Sequence, residues 1–250
     1  MEQENKQIFD FDLKMIADFF RELDRQGPGG VEQTLRALEF VPDRPGMRIA
    51  DIGCGTGGQT VTIARNRDCT ITAVDLLPEL LEEFRARIKK AGLENRVTAI
   101  QGSMDALPFS PGEFDVIWAE GSIYNIGFER GLREWRQYLK PGGIIAVTEC
   151  SWLSGARLAS KFISDYFPDI DSPSGKVRIL EEAGYAPLNR DGVLMDKIIC
   201  DFLECYLNQG NSNSGRTGLK SFTKLLVDFI DAATGGTLDE ICTGARKSTS

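Results

Sequence analysis

The sequence contains no histidine among its 250 residues. Histidine is the usual general base near neutral pH, and it completes Ser-His and Cys-His catalytic triads and most zinc sites. Its absence excludes those kinds of active site and leaves metal dependence without support. Any reaction that this protein catalyses must use other groups.

The sequence also lacks long apolar runs and paired cysteines. No run reaches the roughly 18 residues that a membrane span requires, and the first six residues are polar, unlike a secretory signal. The six cysteines are scattered without a Cys-x-x-Cys pair, which is typical of a reduced protein. We therefore expect a cytoplasmic protein without a membrane span.

A surplus of basic charge is missing as well. The chain carries 29 Lys and Arg against 37 Asp and Glu, a formal charge of −8. Nucleic-acid binding needs a basic face that neutralises phosphates, so nucleic acid is not expected as the main partner. The composition is that of an ordinary globular protein with one sizeable domain, or one domain and an appended piece.

The stretch RIADIGCGTGGQ, residues 48–59, organises the rest of the chain. It is typical of a buried strand, a glycine turn and the start of a helix, which together let a ligand approach the backbone closely. Gly53, Gly55 and Gly58 satisfy the dinucleotide-binding fingerprint. That pattern alone is weak, because glycine-rich turns are common.

Short apolar strands alternate with helical segments after this turn. Strands are predicted over 70–76, 96–100, 114–119 and 144–148, with helices over 78–91 and 128–139 and two more, over 11–23 and 31–40, before the sheet. Such alternation predicts a parallel sheet with helices on both faces. Ligands of these sheets bind outside the carboxyl ends of the strands, where the glycine turn would lie.

Acidic residues follow two of the strands. Asp51 stands two residues before the first glycine, where a carboxylate suits a positively charged ligand group better than a pyrophosphate. Asp75 ends the second strand and could accept hydrogen bonds from both hydroxyls of a ribose. The polar cluster 102–105 ends the third strand, where its backbone and the Asp105 carboxylate could meet the edge of an adenine.

Five motifs occur together in a characteristic order, namely DIGCGTGGQ, the acid in AVDL, GSMDALPF, FDVIWAEG and LKPGG. Over residues 47–150 the chain resembles class I S-adenosylmethionine-dependent methyltransferases. The leading FDFD and RQGPGG segments look like a bacterial subgroup of small-molecule methyltransferases. The resemblance implies an α/β fold of three layers, with a doubly wound, mostly parallel, Rossmann-like sheet, and S-adenosylmethionine as the cofactor.

The resemblance also assigns roles to individual residues. The cofactor-binding residues that it implies are Gln26, Gly27, Asp51, Gly53, Gly55, Gly57, Asp75, Leu76, Ser103, Met104, Asp105 and Glu120. The glycine turn would line the methionine moiety, Asp75 would take the ribose and the 103–105 segment would frame the base. Gln26 and Gly27 are expected to close over the methionine end.

The methyl acceptor is expected to be a small molecule. Glu120-Gly121-Ser122 is not the Asn/Asp-Pro-Pro-aromatic signature with which amino-methylating nucleic-acid enzymes stack a flipped base. Glu120 and Tyr124 are the candidate catalytic residues, and Asp105 is a further candidate base. Glu120 could equally be a hydrogen-bonding partner in the wall of the site.

Other positions also have a structural interpretation beside the functional one. Gly57 and Gly58 could serve tight helix packing, Asp75 could cap a helix and Met104 could fill the core. The RQGPGG turn could be a plain linker. Two other functions stay open: a nicotinamide-dependent oxidoreductase, against which Asp51 and LKPGG count, and a cofactor-binding module without turnover.

The sequence predicts three regions. Residues 1–45 form a helical segment over the cofactor site, residues 46–195 a methyltransferase core, and residues 196–250 a divergent helical extension. Members of the resembled family usually end in two further strands. One could lie within 185–195 and no convincing second follows, so we expect an incomplete or divergent C-terminal sheet edge. The acceptor and the oligomeric state are left open.

Overall fold

The computed structural model describes residues 13–21, 23–27, 29–149 and 171–188. Their strands are β1 (Met47–Ile52), β2 (Cys69–Asp75), β3 (Val97–Gln101), β4 (Phe114–Glu120) and β5 (Leu139–Thr148). All pair in parallel, in the order β3-β2-β1-β4-β5, which confirms the predicted fold class. The chain reverses its direction of winding at β1, between β2 and β4, where such sheets bind ligands.

The helices are α1 (Leu13–Phe20), α2 (Val31–Leu38), α3 (Gly58–Asn66), α4 (Pro78–Ala91), α5 (Phe128–Trp135) and α6 (Pro173–Glu182). Residues of α2, α3 and α4 form one apolar core against the sheet, and residues of α5 and α6 form another. The described residues therefore make three layers. The α1 helix packs on α4 through Ala17 and Leu80.

Alternation along the strands decides which side chains enter each core. Ile49 and Trp118 belong to the core beneath α3 and α4, whereas Ala50 and Ile117 belong to the core beneath α5. Because side chains of a strand point alternately to opposite faces, Asp51 lies on the same face as Ile49 and Glu120 on the same face as Trp118. Two acidic side chains thus reach the α2–α4 side of the sheet.

The α4 helix follows its sequence signals closely. Pro78 opens it, and Gly92 ends it in the left-handed conformation with φ 67°, as is typical of a helix C-terminus. Leu80, Phe84 and Ile88 are each at most 4% exposed and form the predicted buried face. This helix and its packing are confirmed.

The buried face of α2 differs from the prediction. The periodicity predicts an apolar face of Val31, Leu35 and Leu38, but Val31 is 62% exposed and Leu35 is 36% exposed. Leu38 is buried together with Thr34, which is fully buried. The helix is rotated so that a hydroxyl group, rather than an apolar side chain, faces the sheet, and the hydrogen bond from Thr34 to Glu120 satisfies this buried hydroxyl.

The β5 strand begins earlier than predicted. Residues 140–143 (KPGG) predict the stop of a helix over 128–139, yet α5 ends at Trp135 and is followed by a short 3-10 turn. The KPGG residues lie inside β5 and shift its register, so that Phe114 pairs with Leu139 but Val116 pairs with Ile144. The pairings on either side leave residues 140–143 as a bulge in the ladder with β4, and Gly142 keeps a turn-like left-handed conformation with φ 73°.

Other predictions lie outside the described residues. These are most of the strand within 185–195 and the extension over 196–250. Within the described ranges, no helix combines the length and the hydrophobicity needed to cross a bilayer.

Candidate functional site

A cavity opens at the carboxyl ends of β1, β2, β3 and β4. Residues that follow or end these strands form its floor, and Phe20, Arg25, Gln26 and Gly27 contribute a further wall. The predicted site residues that line it are Gln26, Gly27, Gly53, Gly55, Asp75, Leu76, Ser103, Met104, Asp105, Glu120 and Tyr124. The fold therefore brings together residues that are up to 98 positions apart in the sequence, from Gln26 to Tyr124.

The glycine turn is held on β2. The backbone amides of Gly53 and Cys54 donate to the Val74 carbonyl at 2.8 and 3.0 Å. Gly55 has φ 53°, and a Cβ atom there would lie 1.9 Å from Oε1 of Gln26. Glycine is required at this position because both the conformation and the space exclude a side chain.

Asp75 lies at the end of β2 and lines the cavity. Its Oδ2 accepts a hydrogen bond from the Gly55 amide at 2.8 Å and its Oδ1 accepts one from the Leu77 amide at 3.0 Å. Burial raises the pKa of Asp75, and these amide hydrogen bonds partly offset the effect. Each carboxylate oxygen has two lone pairs, so both keep the capacity for another donor.

The end of the cavity beside β3 is mostly apolar. Val74, Leu76, Leu77 and Met104 line it, and Ser103 and Asp105 add two polar side chains. Nε1 of Trp135 donates to the Met104 carbonyl at 2.9 Å and fixes the backbone of this loop. A flat apolar ring with a polar edge would suit this end.

Asp51 and Gly57 are the two predicted cofactor residues that do not line the cavity. Asp51 is fully buried beneath the glycine turn, where its oxygens accept from Thr60 Oγ1 at 2.5 Å and Gln59 Nε2 at 3.3 Å. Burial raises the pKa of Asp51 to about 7, although the two hydrogen bonds lower it. Gln59 lines the cavity, so Asp51 reaches the site through this side chain.

Gly57 faces the α4 helix instead of the cavity. Its φ is 86°, and a Cβ atom would lie 2.6 Å from the ring of Phe84. These contacts favour the tight-packing interpretation of Gly57 over the ligand-binding one.

Glu120 is surrounded by donors from three parts of the chain. Its Oε1 accepts from Trp118 Nε1 at 2.7 Å and from Thr34 Oγ1 at 2.8 Å, and its Oε2 forms an ion pair with Nη2 of Arg25. The side chains of Glu120 and Arg25 are only 4% and 15% exposed. A carboxylate with these three partners is poorly suited to accept a proton from a substrate, so the contacts favour the wall interpretation of Glu120.

The segment from Leu23 to Gly27, which we call the strap, crosses the glycine turn. Gln26 Oε1 accepts from the Thr56 amide at 2.9 Å, and its Nε2 donates to Thr56 Oγ1 at 2.9 Å. The Thr56 hydroxyl donates to the Leu23 carbonyl at 2.9 Å. RQGPGG therefore begins with two residues that tie the segment to the core, which a plain linker would not do.

Sequence reasoning missed several residues of the cavity wall. Arg25 and Arg130 line it without having been selected, as do Phe20, Gln59 and Ser122. The position of Arg25 beside Gln26 was a usable signal, whereas nothing near Arg130 in the sequence indicates a site. Tyr124, a candidate catalytic residue, lines the cavity and is 39% exposed.

Residues 49–143 match the model of a protein family described as "Methyltransferase domain". These residues form a methyltransferase domain. The match starts in β1, ends in the KPGG segment of β5 and covers the floor of the cavity. The predicted membership of the class I methyltransferases is confirmed over this part of the chain.

Curated proteins with similar methyltransferase domains come from several organisms. The chain is 30% identical over 128 residues to "Methyltransferase GfsG" of Streptomyces halstedii, covering 51% of this chain and 46% of that protein. It is 31% identical over 118 residues to "Ubiquinone/menaquinone biosynthesis C-methyltransferase UbiE" of Shewanella frigidimarina, covering 46% and 47%. The chain thus spans less than half the length of these two relatives.

Solved structures show the same fold around the methyltransferase domain. An S-adenosylmethionine-dependent methyltransferase from Thiobacillus denitrificans, crystallised with S-adenosyl-L-homocysteine, aligns with a TM-score of 0.73 and 19% identity, over 91% of this chain and 94% of that one. A similar enzyme from Geobacter sulfurreducens, in complex with the same ligand, gives 0.72 and 19%, over 90% and 92%.

Proposed function

We propose that the protein transfers a methyl group from S-adenosylmethionine to a small-molecule acceptor. The observation that carries the proposal is the Asp75 carboxylate, which faces the cavity between the glycine turn and the apolar loop after β3. An acid with free lone pairs beside an apolar slot suits a ribose joined to a base. The methyltransferase-domain match and the two structural relatives crystallised with S-adenosyl-L-homocysteine support the same cofactor.

The side chains that line the cavity fit this cofactor along its whole length. Met104 and Leu76 offer apolar contacts to the adenine, Asp75 offers acceptors to the ribose, and Gly53 lines the cavity where the chain that follows would lie. At the strap end, the buried Nε of Arg25 has no hydrogen-bond acceptor within the described residues. The carboxylate of an amino-acid moiety in the ligand would supply this acceptor.

The residues of this chain act mainly by binding and orientation. S-adenosylmethionine supplies the electrophilic methyl group when it is bound. Asp75 would fix the ribose, and the strap would exclude water from the amino-acid end, so that an acceptor entering beside Tyr124 meets the methyl group in line. Because Glu120 is committed to three donors, Tyr124 is the better placed of the two candidate catalytic residues to hold the acceptor nucleophile.

A small organic acceptor is favoured by the names of the curated relatives and by the charge balance of the chain. Curated relatives carry names such as "27-O-demethylrifamycin SV methyltransferase" and "Glycine/sarcosine/dimethylglycine N-methyltransferase", which differ widely in acceptor. The acidic balance of the chain, with 37 acidic against 29 basic residues, disfavours nucleic acid. The acceptor class is therefore proposed as a small molecule, without a choice among O, N, S or C.

Calorimetric titration tests the cofactor. Purified protein should release or absorb heat with S-adenosylmethionine and S-adenosyl-L-homocysteine and give no binding with NAD or NADP. Formation of S-adenosyl-L-homocysteine in the presence of a panel of thiols, phenols and amines then tests turnover. Binding of a nicotinamide cofactor alone would contradict the proposal, and cofactor binding without product on any acceptor would favour a binding module.

A further inference from the structure

The contacts of Glu120 raise the question of what this carboxylate does. Its three donors come from the strap (Arg25), from α2 (Thr34) and from its own strand (Trp118). Two of these donors belong to chain segments that precede the sheet, so Glu120 joins the N-terminal part of the chain to the end of β4. Neither oxygen is left without a protein partner.

The strap is also attached to the glycine turn and to α4. Gln26 exchanges two hydrogen bonds with Thr56, both at 2.9 Å, and Asp24 forms an ion pair with Arg87 of α4 at 2.8 Å. The strap is thus held at the glycine turn by neutral hydrogen bonds and at β4 by a buried ion pair. Its residues Arg25, Gln26 and Gly27 line the end of the cavity that the proposed function assigns to the amino-acid moiety.

The approach of the strap is too close for a ligand to pass beneath it. A Cβ atom at Gly58 would lie 2.6 Å from the Asp24 carbonyl oxygen, and one at Gly27 would lie 3.7 Å from the Cα atom of Gly121. Exchange of a ligand of this size through that end therefore requires the strap to lift, which breaks the contact between Arg25 and Glu120.

We infer that Arg25 and Glu120 form a latch that holds the strap closed over the bound cofactor. Glu120 is then a positioning residue, whose task is to hold Arg25, and Thr34 and Trp118 orient its carboxylate. The inference rests on the proposed function, since it takes the adenosyl cofactor as the ligand. The two can be tested separately, because the latch concerns the rate of ligand exchange and the proposed function concerns the identity of the ligand.

The test is a double-mutant cycle on ligand release. The dissociation rate constants of S-adenosyl-L-homocysteine and of 5′-methylthioadenosine, which lacks the amino-acid carboxylate, are measured by stopped-flow displacement in the wild type, Arg25→Met, Glu120→Gln and the double variant. Arg133→Met is the control, because Arg133 is paired only with Glu129 on the surface of α5 among the described residues. Loss of one charge-assisted hydrogen bond should speed release by about 10- to 100-fold.

The latch predicts faster release of both ligands in each single variant, with the double variant no faster than the faster single one. Rates equal to those of Arg133→Met, additive effects, or faster release of S-adenosyl-L-homocysteine alone would overturn it. The last result would mean that Arg25 only contacts the ligand carboxylate. A wild type that binds neither ligand would overturn the proposed function itself, and the latch with it.

Hydrogen exchange of the wild type gives a second readout that does not depend on the variants folding. The latch predicts that the amides of residues 23–27 exchange more slowly when S-adenosyl-L-homocysteine is bound, because lifting of the strap then competes with ligand binding. Equal exchange rates in the free and the bound protein would overturn it.

Discussion

The two ends of the cavity use their polar groups in opposite ways. At the nucleoside end, Asp75 takes one amide hydrogen bond on each oxygen, and the Ser103 hydroxyl makes no hydrogen bond to any other described residue. At the strap end, Gln26 and Glu120 are each bonded to several protein groups. Asp75 and Ser103 thus keep spare hydrogen-bonding capacity for a ligand, whereas at the strap end most of this capacity is used by the chain itself and, among the described residues, the buried Nε of Arg25 is left for a ligand.

Asp75 and Glu120 show this difference within one residue class. Both are acids at the carboxyl end of a parallel strand, and both line the same cavity. The partners of Asp75 are backbone amides of the turn and of the α4 entrance, while those of Glu120 are side chains, one of them a cation. The position of an acid at a strand end therefore does not decide its role, whereas its partners do.

The largest effect on binding is expected from Asp75→Ala. Loss of two charge-assisted hydrogen bonds to a ribose should weaken the affinity for S-adenosyl-L-homocysteine by roughly 2–4 kcal/mol. Titration calorimetry measures it, with Asp68→Ala as the control, because Asp68 is exposed and lies before β2 at the opposite edge of the sheet. An affinity equal to that of the control would show that Asp75 does not bind the ligand, and the proposed difference between the two ends of the cavity would be wrong.

Asp51→Asn tests whether the floor between the two ends holds a charge. The native pKa is raised to about 7, so between about pH 4 and pH 7 the folded protein keeps a proton that the unfolded chain releases, and the wild type loses stability as the pH rises through this window. From pH 5 to pH 8 the loss should be about 2–3 kcal/mol at 1.36 kcal/mol per pKa unit.

The asparagine variant should not show this loss. Urea unfolding of both proteins at pH 5 and pH 8 gives the comparison, and Asp51→Asn should gain stability relative to the wild type at pH 8. The same difference between the two proteins at both pH values would mean that Asp51 carries its charge in the folded state throughout. Glu120 raises and Arg25 lowers the Asp51 pKa, so the experiment also reports on the strap end.

Gly55→Ala should loosen the strap specifically. The new Cβ atom would collide with Gln26, whereas an alanine at Gly46, with φ 73° and no atom within 4 Å, suffers only the left-handed backbone conformation. We expect Gly46→Ala to cost about 1–2 kcal/mol of unfolding free energy and Gly55→Ala more. Thermal unfolding of the two single variants and of the Gly55→Ala/Gln26→Ala double variant measures these losses of stability. If Gln26→Ala does not recover part of the loss, the collision is not its source.

Thr34→Val should have the smallest effect, because Glu120 keeps two other donors. The lost hydrogen bond to a charged acceptor should cost about 1–3 kcal/mol at most, and nearer the low end here. Thr62→Val is the matched control, since among the described residues the Thr62 hydroxyl bonds only the Gly58 carbonyl of its own helix. A Thr34→Val protein as stable as Thr62→Val would show that the rotation of α2 does not depend on Glu120.

Local sequence signals predict much of the sheet and of the nucleoside end. The glycine turn, the acid at the end of β2 and the Pro78–Gly92 helix are adjacent in sequence to the elements that place them, so motif spacing suffices. Strand alternation also places Glu120 on the Trp118 face. These predictions need no knowledge of distant contacts.

The strap end depends on contacts between distant residues and could not be predicted in this way. Arg25 and Glu120 are 95 residues apart, and Thr34 and Glu120 are 86 apart. The rotation of α2 buries Thr34 in one of these contacts, against its apolar periodicity. The prediction that KPGG ends a helix was wrong for a related reason, because Leu139 already pairs with Phe114 of β4 and the KPGG residues bulge between this pairing and the next.

A crystal structure of the complex with S-adenosyl-L-homocysteine tests the central claim most directly. The account predicts both ribose hydroxyls within hydrogen-bonding distance of the Asp75 carboxylate, the adenine against Met104, and the strap closed over the amino-acid end. A nucleoside bound elsewhere, or with its ribose away from Asp75, would contradict it.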